Sequence, residues 1–137
     1  MTPLSPGEHR EIEVDPRPFF VPSGISLVPG ERYGFAASGL WMDSWKVCGP
    51  AGWKLWIAQH FNRLPGAAFF CLCGCPGESL GQAFPIGEGG EWTVPSDVTA
   101  GTELQFFAND WPCRYGNNHP LPPERGGPLR VVVTRLA

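Results

Sequence analysis

The sequence predicts an all-β fold, a jelly-roll-like β-sandwich, on three observations. The 137 residues include 18 glycines and 16 prolines, which argues against a helical protein and fits many short strands joined by punctuated turns. Apolar and polar residues alternate at period two in several stretches of strand length. No long helix and no internal repeat can be read from the chain. A chain of this length is expected to form one domain, with a core that needs neither disulfide nor metal as a staple.

The elements follow in order. Residues 1–9 read as a loose, proline-containing tail. Residues 10–14 alternate around Ile12 and Val14 as a half-buried strand. Pro16, Pro18 and Pro22 break residues 15–23 into a connection that skirts a sheet edge. The next strand carries Ile25 and Leu27 to a turn at Pro29 and Gly30, and residues 32–37 form the third. Residues 67–73 are the most apolar run and read as a central strand buried on both faces, turning at 74–81. Residues 82–86 make a short edge strand and 91–94 another. On the strand over 102–109, Leu104, Phe106 and Ala108 share one face while Gln105, Phe107 and Asn109 share the other. Leu129, Val131 and Val133 of the closing strand face the core.

Charge and composition exclude several classes. A formal net charge of -3 with 10 basic residues provides no basic stripe for nucleic acid. No apolar run is long enough for a membrane span, and the first residues lack the charged and apolar blocks of a signal peptide. The expectation is a cytoplasmic chain, or one released without such a leader. The five cysteines, Cys48, Cys71, Cys73, Cys75 and Cys113, are an odd number, which leaves at least one thiol unpaired in a monomer. The alternate spacing of Cys71 and Cys73 is not a zinc spacing; on a strand it puts both on one side as small buried hydrophobes.

Trp41, Trp45, Trp53 and Trp56 crowd a stretch broken by Gly and Pro. Loops lie at the surface, so not all four reach a core easily. Trp53, Trp56, Ile57 and Phe61 also fall at helical spacing, so a short helical turn packed on the sandwich stands beside the reading as a ligand platform.

The stretch with the most chemistry is Asn109-Asp110-Trp111-Pro112-Cys113-Arg114-Tyr115-Gly116-Asn117-Asn118. It holds one carboxylate and three side-chain amides on a tight curve just beyond a strand, the hard oxygen donors that calcium selects. Asn, Asp, Gly and Pro are also ordinary turn residues, so a polar loop is the plain alternative. The order of residues resembles the site loop of LecA-type calcium-dependent galactose-binding bacterial lectins, whose pattern is Asn-Asp-x-Pro-x-x-Tyr-Gly-Asn-Asn. Gly24-Ile25-x-Leu27, Ala37-Ser38-Gly39-x-Trp41, Gly49-Pro50-x-Gly52, Leu64-Pro65-Gly66 and the segment 84–87 extend the resemblance over roughly residues 10–137. A galactose-binding-domain-like sandwich is the fold it implies.

The resemblance also implies a site. Side-chain oxygens of Asp110, Asn117 and Asn118 and the carbonyl of Arg114 would hold one Ca²⁺, with Asp43 closest in register to a further carbonyl ligand. Asp110, Arg114 and Asn117 would also meet the sugar, with Trp111 as a wall. A loop that in the family lends a His and a Gln to the sugar has Trp56, Gln59 and His60 as its nearest candidates here. The partners implied are galactose-containing glycans and, because such lectins are multivalent, a homo-oligomer. One departure is an insertion over residues 119–127 beside the site, able to widen, cover or re-specify it.

Two other classes compete. In one, calcium orders the loop and the Trp- and Pro-rich rim binds protein, with no sugar. In the other the chain is an enzyme: a glycosidase needs two facing carboxylates, and the motif offers only Asp110. A thiol nucleophile at Cys113 beside His119 would lack an evident orienting group or oxyanion hole. The expectation is a binding protein and no enzyme.

Overall fold

A computed structural model describes residues 1–54, 62–112 and 115–137. Eleven strands appear among them: β1 (His9–Glu13), β2 (Val21–Leu27), β3 (Arg32–Ser38), β4 (Trp41–Asp43), β5 (Lys46–Cys48), β6 (Leu72–Pro76), β7 (Phe84–Pro85), β8 (Gly89–Thr93), β9 (Thr102–Ala108), β10 (Asn118–Pro120) and β11 (Arg130–Arg135). They form two four-stranded sheets, in the orders β1-β11-β3-β8 and β2-β9-β6-β7, and a small sheet ordered β10-β4-β5. Every strand pairing is antiparallel. The fold is the expected all-β sandwich.

Alternation decides which side chains meet between the two larger sheets. Tyr33, Val131 and Val133 from one sheet and Ile25, Leu27, Leu72, Leu104 and Phe106 from the other are fully buried in one cluster. Burying each such aliphatic or phenyl side chain stabilises the fold by about 1.5–3 kcal/mol against exposure. The expected faces of β9 and β11 hold: Leu104, Phe106 and Ala108 lie in this core together with Leu129, Val131 and Val133. Phe107 points the other way, into a second cluster with Cys71, Cys73 and Cys75. The β9-β6 region is therefore covered on both faces.

Three expectations need correction. The apolar run over 67–73 is not the strand; β6 begins at Leu72 and continues through the expected turn to Pro76. Residues 67–71 instead bend, and Phe70 takes φ 61, a left-handed conformation costly for a bulky residue. The burial reading survives this shift, since every residue of β6 is buried. Pro22 lies inside β2 rather than in a connection; β2 is an edge strand, and its pairing with β9 shifts register between Pro22 and Ser26. The N-terminal stretch is not loose. Thr2 bridges Ile25, Leu4 is 1% exposed, and Arg135 Nη1 donates to the Leu4 carbonyl at 2.8 Å.

Two strands of the small sheet, β4 and β5, come from the tryptophan-rich stretch, which sequence periodicity did not resolve into strands. Three-residue strands are too short to show alternation. Trp41 is fully buried in the main core, Trp45 is 80% exposed, and Trp53 bridges Phe69 in an extended conformation rather than starting a helical turn. The rest of that helical spacing, Trp56, Ile57 and Phe61, lies outside the described residues.

Candidate functional site

β9 ends at Ala108 and delivers the motif at the edge of the sandwich. Asn109, fully buried, is the first anchor. Its Oδ1 accepts from the Leu64 N–H at 2.8 Å, and its Nδ2 donates to the carbonyls of Leu64 at 2.9 Å and Ala68 at 3.0 Å. Its main chain adds Phe70 N–H to Asn109 O at 2.7 Å and Asn109 N–H to Cys71 O at 3.0 Å. One amide thus ties the bend over residues 64–68 to the end of β9, where no strand ladder runs.

Tyr115 is the second anchor. Its hydroxyl donates to the Ala108 carbonyl and accepts from Arg63 Nη1 at 2.7 Å. Burial pushes its phenol up to about 12, against the opposing pull of the Arg63 guanidinium. The guanidinium itself lies 4.1 Å from the Phe107 ring centroid and 4.5 Å from that of Phe20, a cation–π enclosure that makes its burial tolerable. Arg63 N–H also donates to the Asp110 carbonyl at 3.3 Å. The motif's Asn and Tyr are therefore scaffold, and the residues between and after them are presented by it.

Asp110 is 1% exposed, and its Oδ1 accepts the Trp111 N–H at 2.7 Å. At the other end of the loop, Asn118 pairs with Asp43 across β10 and β4. Its Nδ2 donates to the Pro16 carbonyl at 2.8 Å, which orients the buried amide and makes its oxygen the atom with ligand chemistry. Ser44 N–H donates to the Asn117 carbonyl at 2.7 Å. These contacts bring residues far apart in sequence to one place.

That place is a cleft of about 170 Å³ whose wall includes Asp43, Asp110, Trp111 and Asn117. Four of the residues singled out from sequence are thus gathered there, with Asn118 buried just behind. Arg114, Trp56, Gln59 and His60 lie outside the described residues, as does Cys113. His119 is exposed on β10, and no residue of the 119–127 insertion lines the cleft. The insertion instead pairs His119 with Met42 and Pro120 with Trp41, bracing the strand that carries Asp43.

The remaining wall draws two tryptophans, Trp45 and Trp53, from the stretch read as a ligand platform or a helical turn, and adds Ser44, Lys46 and Phe69, which were not singled out as site residues. Phe69 is reached edge-on by Trp53 at 5.1 Å and by Trp111 at 6.3 Å, between ring centroids. Trp111, expected as a wall, lines the cleft and also packs on the main core. The Gly49-Pro50-x-Gly52 turn has a local reason in this wall. A Cβ on Gly52 would stand 2.3 Å from the Phe69 carbonyl oxygen, and Gly52 has φ +70, so only glycine lets Trp53 approach Phe69. Bridge pairing at 53 and 69 gave no sequence signal because it spans a single residue on each side.

The cleft wall combines two kinds of chemistry. It carries the acidic residues Asp43 and Asp110 and the amide residue Asn117, and it carries aromatic side chains, with Lys46 Nζ 5.7 Å from the Trp53 centroid. Among the described wall residues two negative charges meet one positive, so the cleft favours a cation. No group of three or more His, Cys, Asp or Glu gathers among the described residues. Carboxylate and amide oxygens are a hard donor set that fits calcium.

Comparison with known proteins gives the fold. No protein-family model matches the chain, and no curated protein does. Among solved structures, the EclA N-terminal domain, a PllA-like lectin, aligns with a TM-score of 0.60 and 20% identity, covering 91% of this chain and 94% of that one. At that identity the likeness is one of architecture: this chain has the all-β fold of that domain.

Proposed function

We propose that this chain is a carbohydrate-binding protein of the lectin type that holds galactose or a galactoside through calcium, without turning it over. The observation that carries the reading is the convergence of Asp43, Asp110 and Asn117, from two separate stretches, on one cleft walled by Trp53, Phe69 and Trp111. The shared fold with a lectin domain supports it. Asp43, Asp110, Asn117 and Asn118 would hold the ion, with the Arg114 carbonyl as a further donor. Bound calcium supplies oxygen coordination that two neighbouring sugar hydroxyls complete in place of water. The chain's own residues do the selecting. Asp110 and Asn117 accept from or donate to the same hydroxyls, and the rings of the wall offer an apolar face to the sugar's C–H surface.

Asn109, Tyr115 and Arg63 act earlier, by fixing the loop before ligand arrives, which lowers the ordering cost of binding. The test is calorimetric titration with galactose, and with mannose and glucose as stereochemical controls, in calcium and then in EDTA. Galactose heat that disappears in EDTA is the expected result. Thermal stabilisation by calcium without any sugar heat would refute the sugar reading and turn attention to a calcium-ordered, protein-binding module.

A further inference from the structure

Trp45 has a position that the proposed ion ligands do not use. It stands at the tip of the β4-β5 hairpin, 80% exposed, and it lines the same cleft as Asp43 and Asp110. Among the exposed large apolar side chains of the described residues, Trp45 is the one on the cleft wall that presents a ring to solvent. The tip is tightly held. Ser44 takes φ 54, a left-handed conformation unusual for a residue other than Gly, Asn or Asp, and its N–H is bonded to the Asn117 carbonyl at 2.7 Å. The hairpin backbone that carries Trp45 is therefore tied to the loop that carries the proposed ligands. Next to it, Lys46 is drawn over Trp53 and offers ammonium donors beside the ring.

We propose that the hairpin tip is an outer subsite for the second pyranose of an oligosaccharide, stacked by its C–H face on Trp45. This rests on the reading of the cleft as a sugar site. A sugar held by Asp43 and Asp110 lies in the cleft that Trp45 also lines, and in the chain that exposed ring stands between the polar Ser44 and Lys46 of the same wall. That alternation matches a pyranose, which is apolar on its faces and polar at its rim. A protein partner would want a broader apolar patch than one indole between two polar residues.

The experiment compares methyl galactoside with a panel of galactose-terminated disaccharides, in calcium, on the wild-type chain, Trp45→Ala and Trp45→Phe. The best disaccharide should bind the wild type about five- to tenfold more tightly than the monosaccharide, the scale of one aromatic contact. Trp45→Ala should weaken the disaccharide more than the monosaccharide, so that the ratio of the two affinities falls to about one, and Trp45→Phe should keep most of that ratio. Circular dichroism and a melting curve on each variant separate loss of stacking from loss of fold. Equal affinity of wild type for mono- and disaccharides overturns the subsite. So does a gain that survives in Trp45→Ala, which would leave the indole to a protein or a second copy of the chain. Binding of neither sugar by the wild type overturns the reading of the cleft itself, and the subsite with it.

Discussion

The sheet β1-β11-β3-β8 and the cleft end are stabilised by different means. In the sheet, backbone ladders run in continuous register, five pairs between β1 and β11 and six between β11 and β3. No single side chain there carries the backbone. At the cleft end the strands are three residues long or absent, and side chains take over: Asn109 satisfies residues 64–68, Tyr115 closes on Ala108, and Asn118 reaches Pro16. A ladder spreads its energy over many equivalent bonds. An anchor concentrates it, so the same chemical change should cost far more at the cleft than in the sheet.

The largest expected effect tests that contrast. Asn109→Ala removes the side-chain hydrogen bonds to Leu64, Ala67 and Ala68, among them the bond accepted from the Leu64 N–H, and should cost about 2–4 kcal/mol. Val132→Thr, on the outer side of the middle strand β11, should change stability by less than about 0.5 kcal/mol. Urea unfolding of both variants reads the difference, and similar midpoints would erase the distinction between the two regions.

A smaller effect is expected from Tyr115→Phe, which deletes one hydroxyl shared between Ala108 and Arg63, about 1–3 kcal/mol. If Tyr115 is scaffold, calcium affinity should fall along with stability; a variant with normal affinity would detach the anchor from the site. Smaller still is Lys46→Ala. Lys46 sits opposite Asp43 across β4 and β5 and is part of the cleft wall, so its charge opposes a bound cation. Calcium affinity should rise a few-fold at low salt, and the gain should shrink as ionic strength increases. Stability should barely change, as expected for a partly exposed charge.

The same contrast explains what could be read from the chain. Strands β1, β3, β9 and β11 were legible because period-two alternation is printed by a sheet with one face in the core. The loop residues Asp110, Asn117 and Asn118 were legible because their order forms a recognisable pattern. Asp43 was found through register against the same pattern, and the structure gathers it with them. The tryptophan-rich stretch was flagged, but the pairing that builds the aromatic wall was not legible. Trp53 and Phe69 meet through an isolated bridge, and Phe69 stood in an apolar run whose composition indicated a strand. What bends that run is a set of tertiary contacts, the Asn109 amide and the left-handed Phe70, which leave no local pattern. Burial of Cys71 and Cys73, by contrast, was legible from residue type and spacing, and the structure adds that all four described cysteines are buried and unbridged. Burial lifts Cys48 to about 12 and Cys75 to about 11, so both remain thiols at neutral pH.

Calorimetric titration of calcium into the metal-free chain, set beside Asp110→Asn, tests the central claim most directly. The replacement keeps shape and an amide oxygen but removes the charge of a buried carboxylate at the cleft. The account predicts saturable calcium binding by the wild type, lost by at least a hundredfold in Asp110→Asn, about 2.7 kcal/mol or more, with the fold retained by circular dichroism. Undetectable binding in the wild type, or equal affinity in the variant, would contradict it.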